Sequence, residues 1–162
     1  MRGSEGPDRP SAAANCRMQV PSYAIAVDEE VQVLQSHPMY AYIPARDVPR
    51  ARRFYEDKLG LKPKMEMMDG GVAYQFGENT AAFLYDAGDS AGTNRASQAF
   101  WKVDDLEREV AQLRSKGIKF EEYDSDEIGG MTMKDGIASG GGTKAAWFKD
   151  TEGNIMALIQ ED

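Results

Sequence analysis

Residues 42–63 read "YIPARDVPRARRFYEDKLGLKP", and this stretch decides the fold. Asp47 is a good helix N-cap, because its short carboxylate can accept a backbone N–H of the first turn. Pro49 is tolerated there, since its missing N–H has no partner to lose. Val48, Ala51, Phe54, Tyr55 and Leu59 fall on one helical face, with Arg50, Arg53, Glu56 and Asp57 mostly outside it. Gly60 supplies the stop. Upstream, "MYAYIPA" (39–45) reads as a strand. Downstream, "LKPKMEM", "GVAYQFG" and "TAAFLYDAG" read as three more, separated by the turns "MDGG" and "GEN".

The same grammar runs a second time. "SQAFWKV" (97–103) is a strand, Asp104 reads as an N-cap, "LEREVAQLRSK" is a helix burying Leu106, Val110 and Leu113, and Gly117 stops it. The strand "IKFEEY", a Gly-rich hairpin over 128–143, and the strands "KAAWFKD" and "NIMALIQ" follow. The two Asp caps lie 104 − 47 = 57 residues apart and the two Gly stops 117 − 60 = 57 apart. Each Gly opens a matching tripeptide, "GLK" and "GIK". This is an internal repeat of a βαβββ unit. One unit alone leaves a sheet face uncovered, so two pair around a shared space. The expected class is α+β: two βαβββ modules, about 38–94 and 96–160, forming a cupped eight-stranded mixed sheet with the helices outside.

Composition excludes several functions. The 162 residues carry 41% hydrophobic and 28% charged residues and a net charge of −8. There is no Lys/Arg surplus to displace counterions, which argues against nucleic acid. No apolar run approaches the roughly 20 residues of a membrane span. "MRGSEGPDRPSAAAN" is Gly/Pro/Ser/Ala-rich without periodicity, so residues 1–36 are expected to be a disordered extension before a domain at 37–162. It lacks the apolar core of a signal peptide, and the cytoplasm is the expected compartment. One Cys (Cys16) and one His (His37) allow neither an intrachain disulfide nor a Cys/His zinc cluster.

"YIPARDVPRARRFYEDKLGLKP", "FWKVDDLEREVAQLRSKGIKF" (100–120) and "AWFKDTEGNIMALIQ" (146–160) together resemble the vicinal oxygen chelate superfamily, which holds glyoxalase I, extradiol dioxygenases and bleomycin-resistance proteins. The resemblance implies a pocket inside the cupped sheet. In the superfamily's enzymes it also implies a divalent metal, held by a His seven residues before the first helix-capping Asp, a Glu in the fourth strand, a His near the start of the second module and a Glu in the last strand. Carried over residue by residue, those positions are Tyr40, Leu84, Gln98 and Ala157. None is a His or a carboxylate, and neither are their immediate neighbours. A hard or borderline cation needs several N or O donors in one place. Ala157 is the smallest residue in a strand of large ones, a methyl where the enzymes place a carboxylate.

The metal positions mark the pocket side of the strands. Tyr40, Tyr42, Leu84, Gln98, Phe100 and Ala157 are therefore the expected ligand-binding residues, with no metal, no other cofactor and no catalytic group. Phe83 and Trp101 are expected to point the other way, toward the helices. His37 lies on the opposite strand face and reads as an exposed junction residue. "GGMTMKDGIASGGG" (129–142) reads equally as a lid or as a plain hairpin, Lys144 and Lys149 as surface ion pairs, and Arg50, Arg52 and Arg53 as an exposed helix face.

The first expectation is a metal-independent binder of an apolar or aromatic small molecule, cationic if the acidic balance matters, acting as a homodimer. A metal-dependent lyase, isomerase or dioxygenase is the second, using residues such as Asp86, Glu78 or His37. An interaction module whose cup is filled by its own side chains is the third.

Overall fold

The computed structural model describes residues 34, 37–68 and 70–161. The chain divides into two compact units, Met1–Ser36 and His37–Asp162. In the first, only Leu34 is described, exposed in a turn. The expected disorder of 1–36 and the setting of Cys16 lie outside the described residues.

In the second unit, β1 (Ala41–Ala45) leads into α1 (Val48–Arg53), followed by β2 (Pro63–Glu66), β3 (Val72–Gln75) and β4 (Ala81–Asp86). The second module repeats this with β5 (Ser97–Lys102), α2 (Leu106–Ser115), β6 (Thr132–Lys134), β7 (Ile137–Gly140), β8 (Thr143–Lys149) and β9 (Ile155–Glu161). The strands form two sheets, ordered β1-β4-β3-β2 and β5-β9-β8-β7-β6. In each, the module's first strand runs parallel to its last, β1 with β4 and β5 with β9. The α+β class and the duplicated βαβββ plan hold. Among the described residues, the eight-stranded sheet is instead nine strands in two sheets.

The difference lies in the second module. Residues 118–123 make no strand; Phe120 forms only an isolated bridge to Phe148, and Glu121 N–H donates to Trp147 O. The Gly-rich hairpin supplies β6 and β7 instead, and β7 occupies β8 at Thr143–Ala145. An edge taken by one strand is closed to another, so 118–123 reaches only the remaining end of β8. The 129–142 stretch is thereby part of the sheet.

Both helices start as the sequence indicates, with one correction. Asp47 accepts Arg50 N–H at 2.9 Å, but the second cap is Asp105, which accepts Arg108 N–H at 3.0 Å. The caps are thus 105 − 47 = 58 residues apart while the Gly stops stay 57 apart, Gly60 at φ +76 and Gly117 at φ +80. The first helical segment has one residue more. It absorbs that residue in a π turn over Phe54–Lys58, where Leu59 N–H reaches back five residues to Phe54 O at 3.2 Å.

One apolar cluster joins the modules. Ile43, Leu84, Val72 and Tyr74 of the first sheet, Ala146, Phe148, Met156 and Leu158 of the second, Phe54 and Tyr55 of the π turn, and Leu106 and Val110 of α2 are all buried in it. Each such aliphatic side chain contributes about 1.5–3 kcal/mol relative to leaving it in water. Among the described residues no helix is long and apolar enough to cross a membrane.

Candidate functional site

Strand alternation gives each sheet one face on this core and one face away from it. On β1, Ile43 and Ala45 are buried, while Tyr42 is 61% exposed on the other face. β4 pairs in register, Tyr42 with Phe83 and Ile43 with Leu84. Phe83 therefore shares the face of Tyr42, and Leu84 shares that of Ile43, where it is 1% exposed within the core. Two sequence expectations are corrected here. Leu84 faces the helices, and Phe83 faces the open side.

On that open side four rings touch in sequence. Tyr40 meets Phe83 edge-on with centroids 5.8 Å apart, Phe83 meets Tyr42 at 6.2 Å and 39°, and Tyr42 meets Tyr85 edge-on at 5.1 Å. A cavity of about 470 Å³ opens beside them, lined by Tyr42, Met67, Met68, Gly71, Phe83, Leu84 and Tyr85. Among the described residues that line it, none is charged. Neither the Tyr42 nor the Tyr85 hydroxyl has a hydrogen-bond partner among the described residues. Sequence reasoning missed Met67, Met68 and Tyr85, because the turn carrying the methionines reaches the cavity only once β2 and β3 are paired.

The second sheet repeats the geometry with different residues. Phe100 pairs with Ala157 on β9, and Ala157 with Trp147 on β8. Phe100 is 60% exposed, whereas Ala157 between its two aromatic neighbours is 1% exposed and offers nothing for a ligand to touch. Trp147 meets Tyr123 edge-on at 5.5 Å. Trp101 points to the core, as expected, and stacks on Phe148 at 6.2 Å and 11°. Gln98 sits where the β5–β9 register shifts and donates from Nε2 to Tyr42 O at 3.0 Å, tying β5 to β1. His37 is exposed.

The donor chemistry does not fit a divalent cation. The four positions carry a phenol, a core leucine, an amide already donating to backbone, and a methyl. Moving one residue on β4 to the correct face substitutes Phe83 for Leu84. Among the described residues no group of three or more His, Cys, Asp or Glu comes together.

The carboxylates that do converge lie on the β8–β9 turn, and they join the modules. Glu152 accepts Arg46 N–H at 2.8 Å, Asp47 N–H at 3.1 Å and the Arg50 guanidinium at 2.8 and 2.9 Å. Burial alone would raise its carboxyl. The Arg50 and backbone hydrogen bonds outweigh that and hold it down at about 2. Asp150 accepts the Tyr55 hydroxyl at 2.7 Å and the N–H groups of Glu152 and Asn154. Burial, and then the Asp150 charge, push the Tyr55 phenol well above its ordinary value. Arg50 is exposed, as expected of this helix face, and also serves as a junction residue through Glu152. A mixed-charge groove of about 850 Å³, bordered by Arg46, Arg52, Arg53, Glu56, Asp57 and Asp86, runs outside α1. Lys144 pairs with Glu107 and Lys149 with Glu121.

A family model described as "Glyoxalase/Bleomycin resistance protein/Dioxygenase superfamily" matches residues 35–158. The chain belongs to this superfamily. No curated protein matches it. Among solved structures, this superfamily member is similar to TnmS3, an antibiotic binding protein from Streptomyces sp. CB03234, at 20% identity and TM-score 0.59, over 78% of this chain and 97% of that one. A glyoxalase/bleomycin resistance protein from Catenulispora acidiphila has 19% identity and TM-score 0.56, over 78% and 100%. A lactoylglutathione lyase from Agrobacterium tumefaciens has 17% identity and TM-score 0.55, over 77% and 93%. At these identities the likeness is one of fold. A superfamily that spans binding proteins and lyases leaves the activity to the site.

Proposed function

We propose that this superfamily member is a metal-independent small-molecule binding protein that holds an apolar or aromatic ligand on the open faces of its sheets. One observation carries the reading. The positions at which the superfamily's enzymes place metal-holding side chains are here Tyr40, Gln98, Ala157 and the β4 pair Phe83–Leu84, a set able to pack against a ring but not to hold a cation. Tyr40, Tyr42 and Phe100 meet the ligand, and Gln98 presents its amide at the seam between β1 and β5. Antibiotic binding by a protein of the same fold supports the reading.

The protein acts in the cytoplasm as a homodimer. Met39 and Met65 are exposed apolar side chains of the kind a second subunit covers. Metal analysis of protein purified without chelator, beside a thermal-shift screen of aromatic compounds, tests the proposal. The expected result is substoichiometric metal and stabilisation by aromatic compounds in the absence of any added ion. Stoichiometric zinc, nickel, iron or manganese, or stabilisation seen only after metal is added, would overturn it.

A further inference from the structure

We infer that the ligand site is centred on the first module, where the Tyr40–Phe83–Tyr42–Tyr85 strip with Met67 and Met68 takes one planar aromatic ring system per chain, with Gln98 and Phe100 of β5 only at its edge. The inference rests on the binding function proposed above and names its place, ligand class and stoichiometry.

The duplication makes the comparison possible. Asp47 and Asp105 cap equivalent helices, so the offset of 58 that relates them sets Tyr40 against Gln98 and Tyr42 against Phe100. The parallel pairs Tyr42–Phe83 and Phe100–Ala157 then set Phe83 against Ala157 and, two residues on, Tyr85 against Ile159. The first module has four aromatic residues at these positions. The second has one, Phe100. The cavity of about 470 Å³ lies beside the aromatic set, within the usual size range of small-ligand sites.

Ring geometry selects the ligand's shape. Successive centroids are 5.1 to 6.2 Å apart, so the rings are in direct contact and leave no gap into which an ammonium head could be enclosed. What they present is a continuous surface. Tyr42, the most exposed of the four, offers its ring for offset stacking, with Tyr85 edge-on to it and Phe83 tilted by 39°. Met67 and Met68 stand on the β2–β3 turn at the cavity, with polarizable thioethers that adapt to different ring outlines. The Tyr42 and Tyr85 hydroxyls, which have no hydrogen-bond partner among the described residues, provide polar contacts at the rim.

Isothermal titration of the full chain with three probes tests this: phenazine, a neutral three-ring plane; 1-adamantanol, a neutral apolar globule; and tetrabutylammonium. The expected result is one phenazine per chain, bound at least about ten times more tightly than either of the others. Tyr42→Ser should weaken phenazine about ten-fold and Met68→Ser about three-fold, both at exposed positions that leave folding intact. Trp147→Phe, in the second module, should leave the affinity unchanged. Two phenazines per chain, equal or tighter binding of 1-adamantanol or tetrabutylammonium, wild-type affinity in both Ser variants, or a loss confined to Trp147→Phe overturns the inference. Binding of 1-adamantanol without phenazine does so while leaving the binding function in place. Failure of every probe, together with an empty thermal-shift screen, removes both.

Discussion

Glu152 and Arg50 stand 102 positions apart in the sequence, and their side chains meet in a two-pronged ion pair at 2.8 and 2.9 Å. The same carboxylate receives the backbone N–H groups of Arg46 and Asp47, immediately before α1. The turn between the last two strands of one module therefore fixes where the first helix of the other begins. Asn154 adds to the junction, donating from Nδ2 to Pro44 O at 2.8 Å and accepting Gly92 N–H at 3.2 Å.

Glu152→Gln keeps the shape of this carboxylate and removes its charge. The Arg50 guanidinium then loses its counter-ion, and the backbone donors face a neutral, weaker acceptor. A loss of about 2–4 kcal/mol is expected in urea unfolding, since truncating a buried charge-assisted network leaves its partners poorly satisfied. A loss below about 0.5 kcal/mol would show that the junction stands without the charge.

Acid should dissolve the same junction. The Glu152 carboxyl sits at about 2 in the folded protein against an ordinary 4.5. Between those values the unfolded chain binds more protons than the folded one, so stability falls as pH falls. The contribution is complete above about pH 4.5 and gone below about pH 2. Unfolding free energies of wild type and Glu152→Gln at pH 5.5 and 2.5 check this: the gap between the two proteins should narrow at the lower pH. A gap that stays constant contradicts the assignment.

Tyr55→Phe should cost about 1–3 kcal/mol, because it strips a hydroxyl donor from the buried Asp150 carboxylate without opening space in the core. The comparison with Tyr74→Phe is informative. Tyr74 donates to Glu56, which also receives Arg52, so that carboxylate keeps a charged partner and the cost should be smaller. Equal losses in parallel denaturant titrations would refute the distinction.

Gly92 and Gly129 have nearly the same backbone, φ +69 and φ +67, but different surroundings. A Cβ at Gly92 would stand 2.0 Å from Glu152 O, whereas at Gly129 nothing lies within 4 Å. Gly129→Ala should cost only the strain of a left-handed alanine, about 1 kcal/mol. Gly92→Ala must also displace the junction turn, and roughly 3 kcal/mol or more is expected. Thermal unfolding of the two variants side by side decides it.

Much of the architecture is legible along the chain. Asp47 with Gly60, and the Asp104–Asp105 doublet with Gly117, mark two helices through local hydrogen-bonding and backbone preferences that need no distant partner. The doublet shows the limit. Either Asp can cap by sequence, and choosing Asp104 gives an offset of 57 where the folded caps are 58 apart. The extra residue is hidden in the π turn at Phe54–Lys58, whose side chains follow the same apolar pattern as an α-helix.

That one-residue ambiguity separates what each level decides. Residue identity alone determined that Tyr40, Gln98 and Ala157 bring neither an imidazole nor a carboxylate to their positions, because donor chemistry does not depend on the fold around it. Only the paired strands decided that Phe83 rather than Leu84 faces the open side, because side chains alternate and a shift of one residue exchanges the two faces. The Glu152–Arg50 contact and the cavity beside Met67 and Met68 likewise had no local signature, being made by segments that meet only when both modules have closed on their common core.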